Sequence, residues 1–335
     1  MVSYNRSDLF NELQAAFILP EFSNTPAFDE LALKVFNYQQ RNNPLYASFL
    51  EYLNIESQSI NTVEAIPFLP IEFFKNHIVK SGTWEADSVF KSSGTGQSGR
   101  SQHHIRDLNW YGKNAKTIFE QQFGKLCETE IFALLPSYLD QGDSSLIHMV
   151  DYFHSMSANP ESTFYLNRFD ELHSALHDSK ARRKVLFGVT YALLDFAEYI
   201  STPIPELVII ETGGMKGRRE EITREELHKK LIRAFSVDSI FSEYGMTELL
   251  SQAYTRGGLL FTPSSLMRVM IRDVTDPFCL LDHHKQGAVN IIDLANLDTC
   301  AFIATDDLGI THNALQFEIL GRIDNSDIRG CSLLS

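Results

Sequence analysis

Hydrophobic residues follow a helical period in the first quarter of the chain. Pro26, at a first turn behind Thr25, opens one amphipathic segment, and a second runs through residues 46–53. Pro67 and Pro70 interrupt the next stretch, where a helix would lose the hydrogen bonds that proline cannot donate. The pattern therefore predicts two helices followed by an extended connector over residues 66–71.

From about residue 85 onward, short continuous apolar runs alternate with amphipathic segments. Such runs are typical of strands buried on both faces of a parallel sheet, and the amphipathic segments of the helices that cover it. Thr223 and Glu226 have the spacing of a capping box, which predicts a helix start. The predicted strands are 131–135, 185–189 and 207–210, and the predicted helices are 108–123, 191–200 and 223–235.

After residue 255 helical patterns become rare. Short β-rich runs at 267–273, 288–294, 300–305 and 316–320 are separated by turn residues, which is typical of antiparallel sheet. We therefore expect an α/β protein in three parts. These are a helical region over 1–84, an α/β core over 85–254 and a β-rich subdomain with a C-terminal tail over 255–335.

Composition narrows the function mainly by exclusion. Among 335 residues, 29 Lys and Arg stand against 43 Asp and Glu, a formal charge of −14, so no basic nucleic-acid-binding face is expected. No apolar run approaches the roughly 20 residues that span a bilayer, and the N-terminus lacks a signal-peptide pattern. Four cysteines without CxxC spacing argue against a disulfide framework or a zinc site. We expect a cytoplasmic protein.

A loop rich in glycine and hydroxyl side chains, SSGTGQSGRS, occupies residues 92–101. Glycine lets backbone N–H groups converge and hydroxyls add donors, so such loops suit phosphate oxygens, although a plain surface turn has the same composition. The run from Gly94 to Ser101 departs from the Walker A phosphate loop because Arg100 replaces the compact lysine charge. The other candidate is the Ser/Thr-Gly-Thr loop of adenylate-forming enzymes.

Three later motifs favour the second candidate. Residues 242–248 (SEYGMTE) look like the YGxTE motif of the adenylate-forming (ANL) superfamily. Residues 305–308 (TDDL) are similar to its TGDL, with Asp306 in place of glycine, and 321–324 (GRID) resemble its GRxD. Residues 327–330 resemble the hinge before the superfamily's small C-terminal domain, so the resemblance implies its N-terminal-domain fold without that small domain.

Within the superfamily the chain resembles the LuxE-type acyl-protein synthetases. The likeness rests on short length, the connector that begins at Ile66, the loop that begins at Ser92, and Cys331 near the C-terminus. Members activate a fatty acid with ATP as acyl-AMP and carry the acyl group on that cysteine as a thioester. They then pass it to a reductase partner.

The resemblance implies a role for each matching residue. Tyr244 would stack on adenine, Thr247 would hydrogen-bond near the α-phosphate of ATP, and Glu248 would help hold Mg²⁺, which prefers carboxylate and phosphate oxygens. Asp307 would accept hydrogen bonds from the ribose hydroxyls, and Arg322 would bind ribose or phosphate. The loop residues would hold the β- and γ-phosphates of ATP; they are Ser92, Ser93, Gly94, Thr95 and Gly96. The double glycine Gly213-Gly214 would let the backbone approach the nucleotide closely.

Each of these residues also has a purely structural interpretation. Tyr244 could be a core aromatic, Glu248 an acid in a solvated first helical turn, and Asp306-Asp307 turn residues. Gly213-Gly214 could form a plain strand-to-loop turn. His103-His104 could contact phosphate or substrate, or be solvated loop histidines.

Cys331 differs from the other three cysteines. The nearby Arg329 favours the nucleophilic thiolate, and a tail near the terminus can swing towards a site. The alternative is an incidental cysteine in a frayed tail. Cys127, Cys279 and Cys300 lie in or beside apolar runs, so we expect them to be buried as small hydrophobic residues.

The expected function is therefore an acyl-protein synthetase that uses ATP and Mg²⁺ to activate a fatty or other carboxylic acid as acyl-AMP, and then transfers the acyl group to its own Cys331. Catalytic roles fall to Cys331, Thr247 and Glu248, and an acyl-accepting reductase or carrier protein is the expected partner. Nothing here matches the lysine of the superfamily's small domain; Lys91, Arg100 and Arg106 are candidates for its charge. An acyl-CoA ligase using free CoA and a non-catalytic nucleotide-binding protein remain as alternatives.

Overall fold

The computed structural model describes residues 4–93, 99–136, 142–160, 164–200, 202–204, 206–213 and 222–323. Its helices are α1 Arg6–Ala16, α2 Pro26–Asn42, α3 Pro44–Tyr52, α4 Phe73–Asn76, α5 Leu108–Phe123, α6 Ser145–Met156, α7 Phe169–Asp178, α8 Thr190–Tyr199 and α9 Arg224–Phe235. Its strands are β1 Leu69–Pro70, β2 Ser88–Lys91, β3 Gln102–Ile105, β4 Thr129–Leu134, β5 Arg183–Val189, β6 Leu207–Thr212, β7 Phe241–Tyr244, β8 Ala253–Thr255, β9 Phe261–Pro263, β10 Met267–Arg272, β11 Leu280–Leu281, β12 Gln286–Asp293, β13 Phe302–Asn313 and β14 Gln316–Arg322.

These elements form two compact units. The first unit consists of Met1–Leu108, Thr247–Ser251 and Thr262–Ser335. The second unit consists of Asn109–Met246 and Gln252–Phe261.

A mostly parallel sheet forms the centre of the second unit. Strands β4, β5, β6 and β7 lie side by side in parallel, and β8 pairs antiparallel with β7. Strand β4 is buried along its whole length, as a continuous apolar run requires. Thr212 pairs in register with Glu243 near the carboxyl ends of β6 and β7.

Helices cover both faces of this parallel sheet. The Phe123 ring of α5 meets the Phe241 ring of β7 edge to face, with centroids 5.2 Å apart. The next strand residue, Ser242, lies with its Oγ 3.1 Å from Nε2 of His228 on α9. Because successive strand residues point to opposite faces, α5 and α9 pack on opposite sides of β7.

An antiparallel sheet forms the centre of the first unit. Its strands run in the order β11, β10, β12, β13, β14, and β1 joins β13 in parallel through Leu69 and Ile303. Strands β2 and β3 form a separate hairpin in which Phe90 lies opposite His103. This hairpin flanks the glycine-rich loop.

The N-terminal helices pack on β13 in the same unit. Phe36 of α2 and Tyr46 of α3 place their rings 6.1 and 6.4 Å from the Phe302 ring. The buried Gln39 amide of α2 donates to the carbonyl oxygens of Asn296 and Leu297, at 2.8 and 3.0 Å, and accepts from the backbone N–H of Ala301. Both ends of this amide are therefore satisfied inside the helix–sheet contact.

The predicted α/β fold, with a helix-covered parallel sheet and a β-rich C-terminal region, is confirmed. Helix α5 spans the predicted residues 108–123, and Thr223 and Glu226 form both hydrogen bonds of the capping box. Strand β13 is longer than the predicted run 300–305, because its polar continuation pairs with β12 on one side and β14 on the other. Asp306 and Asp307 therefore lie within a strand rather than in a turn.

The prediction for the cysteines is correct for Cys300, which is buried, and wrong for Cys127 and Cys279, which are exposed. Cys127 lies in the short 3₁₀ turn before β4, where its neighbour Leu126 takes the buried position. Cys279 lies in the connection between β10 and β11. Apolar neighbours in sequence thus do not decide which side chain of a turn points inward. No helix within the described ranges is both long and apolar enough to cross a membrane.

The capping box of α9 gives the first testable prediction. Thr223→Ala removes the hydroxyl that accepts from the Glu226 N–H at 3.2 Å, and should lower the free energy of unfolding by about 1 kcal/mol in urea titrations. Thr117→Ala on α5 is the control, since its hydroxyl only donates to the Lys113 carbonyl within the helix. An equal loss in both variants would contradict a stabilising cap.

Candidate functional site

The segment Thr247–Ser251 of the first unit is held by buried side chains. Asp293 Oδ2 accepts hydrogen bonds from the N–H groups of Leu250 and Ser251 at 2.8 and 3.0 Å, and its Oδ1 accepts from the Ser251 hydroxyl at 2.7 Å. Asn296 Nδ2 donates to the Glu248 carbonyl at 2.8 Å. These contacts fix the backbone that carries the predicted Thr247 and Glu248.

His103 holds the start of the same segment. Its Nδ1 lies 2.8 Å from the Thr247 carbonyl oxygen and its Nε2 lies 3.1 Å from the Thr299 hydroxyl. Because a carbonyl oxygen only accepts, Nδ1 carries the proton and Nε2 accepts from Thr299. Burial lowers the pKa of His103 to about 4, which keeps this ring neutral. His103 is thus a buried strand residue, neither solvated nor part of a loop.

Glu248 is a buried carboxyl group, 5% exposed, rather than an acid in a solvated helical turn. Burial raises its pKa, and a hydrogen bond with the Ser101 side chain and the charges of Arg322 and Lys75 oppose that rise. A hard cation near this carboxylate would complete the compensation of its charge.

Binding of Mg²⁺ would require the phosphates of a bound nucleotide as well as the Glu248 carboxylate. Across the described part of the chain, no three His, Cys, Asp or Glu side chains come together as a metal site. Mg²⁺ is commonly held by one or two carboxylates together with water and substrate phosphates, so Glu248 fits that kind of binding.

Hydrogen bonds between residues 91–92 and residues 100–101 join the two ends of the glycine-rich loop. Ser92 N–H donates to the Ser101 carbonyl at 3.1 Å, and Ser101 N–H donates to the Ser92 hydroxyl at 3.0 Å. Arg100 donates to the carbonyls of Ser92 and Lys91. Ser93 is exposed at the start of the loop, whereas the predicted phosphate ligands Gly94, Thr95 and Gly96 lie outside the described residues.

Asp307 and Arg322 face each other across β13 and β14. They are register partners, with Arg322 Nε 3.4 Å from Asp307 Oδ1. The Arg322 side chain is 82% exposed, so solvent screens this ion pair and it adds little stability. The structure thus brings these two predicted ribose-binding residues together.

Tyr244 and Gly213 lie at the ends of β7 and β6 in the second unit. The Tyr244 ring is nearly buried and packs 5.7 Å from the Phe261 ring. Gly213 is exposed at a bend, and a Cβ there would meet nothing within 4 Å, so no close contact with another described residue requires glycine. Gly214 and the tail carrying Cys331 lie outside the described residues.

Two glutamates near these strand ends were not among the predicted site residues. Glu211 of β6 lies near Arg224 and His228 and accepts from the Thr190 hydroxyl at 3.2 Å. Burial would raise its pKa, but hydrogen bonds from His228 and Ser242 and the charge of Arg224 together lower it.

Glu243 of β7 accepts a 2.6 Å hydrogen bond from the Thr212 hydroxyl. Burial, together with the charge of Glu211, raises the pKa of Glu243 to about 7 despite that bond. The sequence carried a signal for Glu211, which directly follows the apolar run 207–210, but none for Glu243, whose strand has the mixed sequence FSEY.

Comparisons with known proteins identify the fold. No protein-family model and no curated protein matches the chain. A solved 2-hydroxyisobutyryl-CoA ligase, bound to 2-HIB-AMP and CoA in the thioesterification state, aligns over 93% of this chain and 71% of its own with 14% identity and a TM-score of 0.69. Its open conformation aligns over 89% and 70% with 13% identity and a TM-score of 0.66. The chain has the fold of these ligases.

ATP-bound MatB from Rhodopseudomonas palustris aligns less completely. The match has a TM-score of 0.52 and 13% identity, and covers 70% of this chain. The chain spans 47% of the length of that protein. These likenesses establish the fold that the chain shares with these proteins.

The raised pKa of Glu243 predicts a pH-dependent stability. A carboxyl group that binds its proton more tightly in the folded than in the unfolded protein stabilises the fold. That stabilisation is fully present below about pH 4.5 and is lost as the pH rises to about 7. Between about pH 4.5 and 7 the wild type should therefore lose roughly 3 kcal/mol of unfolding free energy relative to Glu243→Gln. Above about pH 7 the difference between the two proteins should stay constant.

Urea titrations at a series of pH values measure this difference. The exposed Glu225→Gln on α9 is the matched control and should show no such fall, since its carboxylate pairs with Lys229 in solvent. A wild-type-to-Glu243→Gln difference that stays constant from about pH 4.5 to 7 would refute the burial of a titrating carboxyl.

Proposed function

We propose that the chain is an ATP-dependent ligase that activates a carboxylic acid as acyl-AMP. A carboxylate oxygen of the acid attacks the α-phosphorus of ATP, the bond to the pyrophosphate oxygen breaks, and acyl-AMP and pyrophosphate form. The fold supports this activity, since structures with that fold hold 2-HIB-AMP or ATP.

The buried Glu248 carboxylate on its fixed segment is the observation that carries the proposal. Asp293, Asn296 and His103 hold its backbone, so the carboxylate is positioned before any ligand arrives. Thr247 would hydrogen-bond near the α-phosphate and Glu248 would hold Mg²⁺. When bound, that ion neutralises charge on the phosphate oxygens.

We further propose that Cys331 accepts the acyl group. Its thiolate would attack the acyl carbon, forming a C–S bond as AMP leaves. The resemblance to acyl-protein synthetases supports this step, favours a fatty acid as substrate and implies a reductase or carrier protein as the next acceptor. A reducing cytoplasm would keep the thiol free.

A second candidate is a ligase that uses free CoA as acceptor. The matched 2-hydroxyisobutyryl-CoA ligase contains CoA, which favours it. In that case Cys331 has no part in the reaction.

Glu248→Gln tests the activation step. We expect Mg²⁺-dependent, acid-dependent exchange of pyrophosphate into ATP to fall at least about tenfold, because the amide cannot supply a charged metal ligand. Stability near neutral pH should stay the same or rise, since a charge that burial disfavours is removed. Glu30→Gln, an exposed acid of the same unit, is the control. Unchanged exchange in Glu248→Gln would refute its role.

Intact-mass spectrometry after incubation with ATP, Mg²⁺ and a panel of acids tests the transfer step. We expect an acyl adduct that hydroxylamine removes and that Cys331→Ala loses. Cys127→Ala and Cys279→Ala are essential controls, because both of these thiols are exposed and can be acylated without catalysis. An adduct retained in Cys331→Ala would overturn the assignment. Rapid acyl-CoA formation that is equally fast in Cys331→Ala would favour the CoA ligase.

A further inference from the structure

Three neighbouring strands of the second unit place polar side chains side by side on one face. Thr212 pairs in parallel register with Glu243, and Glu243 pairs in antiparallel register with Tyr254. Directly paired residues project to the same face of a sheet. The Phe123 ring of α5 meets the Tyr254 ring at 5.3 Å, so this is the face that α5 covers.

Two buried polar atoms on this part of the sheet have no hydrogen-bond partner among the described residues. They are the Tyr254 hydroxyl and Gln252 Oε1, and their side chains are 1% and 3% exposed. The nearby Tyr111 hydroxyl, by contrast, donates to the Ser145 carbonyl at 2.9 Å. Because a buried polar atom without a partner costs free energy, such atoms call for a ligand or another explanation.

The Glu243 carboxylate and the Gln252 side chain both lie beside Gly245. A Cβ on Gly245 would clash with Glu243 Oε1 and would lie 3.5 Å from Gln252 Cγ. The absence of that Cβ lets Glu243 Oε1 lie over the backbone. Glu243 Oε2 already accepts from Thr212, which leaves Oε1 for another donor.

No cation of the second unit neutralises Glu243 within the described residues. Arg224 and His228 lie on the opposite face of the sheet, beside Glu211. The Glu243 side chain faces neutral hydroxyl and amide groups: those of Thr212, Gln252, Tyr111 and Tyr254. The arrangement therefore has one excess negative charge and several acceptors.

We propose that Glu243, Gln252 and Tyr254 bind the protonated amine of an amino-group-bearing carboxylic acid, which is the acid that the proposed ligase activates. An ammonium group has three donors and no acceptor, and Glu243 Oε1, Gln252 Oε1 and the Tyr254 hydroxyl can each accept one hydrogen bond. This inference rests on the proposed function, because that function is what activates the bound acid. It differs in the substrate, which is an acid with a positively charged amine rather than a fatty acid.

Hydrogen bonding explains why such a site rejects an alkyl chain. A methyl group in place of the ammonium would leave two buried acceptors, Gln252 Oε1 and the Tyr254 hydroxyl, without donors and the Glu243 carboxylate without a counter-charge. Sites built around hydrogen bonds discriminate strongly against analogues that lack the matching group. The site would therefore select the substrate by its charge.

The first experiment compares straight-chain acids of matched length that carry a methyl, hydroxyl or ammonium group at successive positions. Calorimetry on the full chain, with and without AMP, measures binding, and pyrophosphate exchange measures activation. We expect the best ammonium-bearing acid to bind about 10- to 100-fold more tightly than its methyl analogue, with the hydroxyl analogue between them.

Two variants test the residues. Glu243→Gln should remove the ammonium preference, whereas the exposed Glu225→Gln control should keep it. Tyr254→Phe should weaken ammonium binding about tenfold without lowering the unfolding midpoint, because its hydroxyl has no partner within the described chain. A purely structural hydroxyl would give the opposite result, with stability lost and binding kept.

The outcomes separate this inference from the proposed function. Exchange driven by methyl-bearing acids, without tighter ammonium binding, would support the ligase and overturn the amine site. Ammonium binding that Glu243→Gln abolishes, without exchange for any acid, would support the site and overturn the ligase. If no ammonium-bearing acid binds better than its methyl analogue, the inference is refuted whatever the exchange assay shows.

Discussion

The burial of the Asp293 carboxylate is the constraint on which the candidate site of the first unit depends. It accepts hydrogen bonds from Leu250, Ser251 and Ala295, and no part of it is exposed. A charge buried in this way is tolerated only while its donors stay in place, since leaving it unpaired costs several kcal/mol. The segment that supplies those donors also carries Glu248. Folding therefore positions the metal-binding candidate by satisfying a different acid.

Local patterns in the sequence were sufficient for the elements, and less so for the site. Continuous apolar runs identified β5 and β6, and the Thr223 spacing identified the start of α9, because those signals involve residues close in sequence. The environments of His103 and Glu248 depend on partners far along the chain: the carbonyl that His103 contacts is 144 residues away. Spacing alone carries no information about such partners. Ser101, His103 and Ile105 are buried in strand alternation, but the run SQHHI has no alternation of apolar and polar residues that would predict it.

Glu211 and Glu243 show that the surroundings of a glutamate decide whether its pKa is raised or lowered. They lie on adjacent strands, one register position apart, and therefore on opposite faces of the sheet. On one face Arg224, His228 and Ser242 compensate Glu211, and its pKa is lowered. On the other face neutral groups surround Glu243, and burial raises its pKa to about 7. The charge of one acid is thus satisfied by the protein, and that of the other is left to a proton or a ligand.

This difference also gives a reason for the half-buried Glu243 to lack a counter-charge from the described residues. A protein cation placed beside it would lower its pKa and would compete with a substrate cation for the carboxylate. Leaving the carboxylate among neutral acceptors keeps the unliganded state less stable, and a ligand that supplies both charge and donors stabilises the folded chain through its binding free energy. The folding cost of the uncompensated acid is then present only in the absence of ligand. Such a site favours a ligand whose charge is opposite to that of Glu243, because only that ligand removes the cost completely.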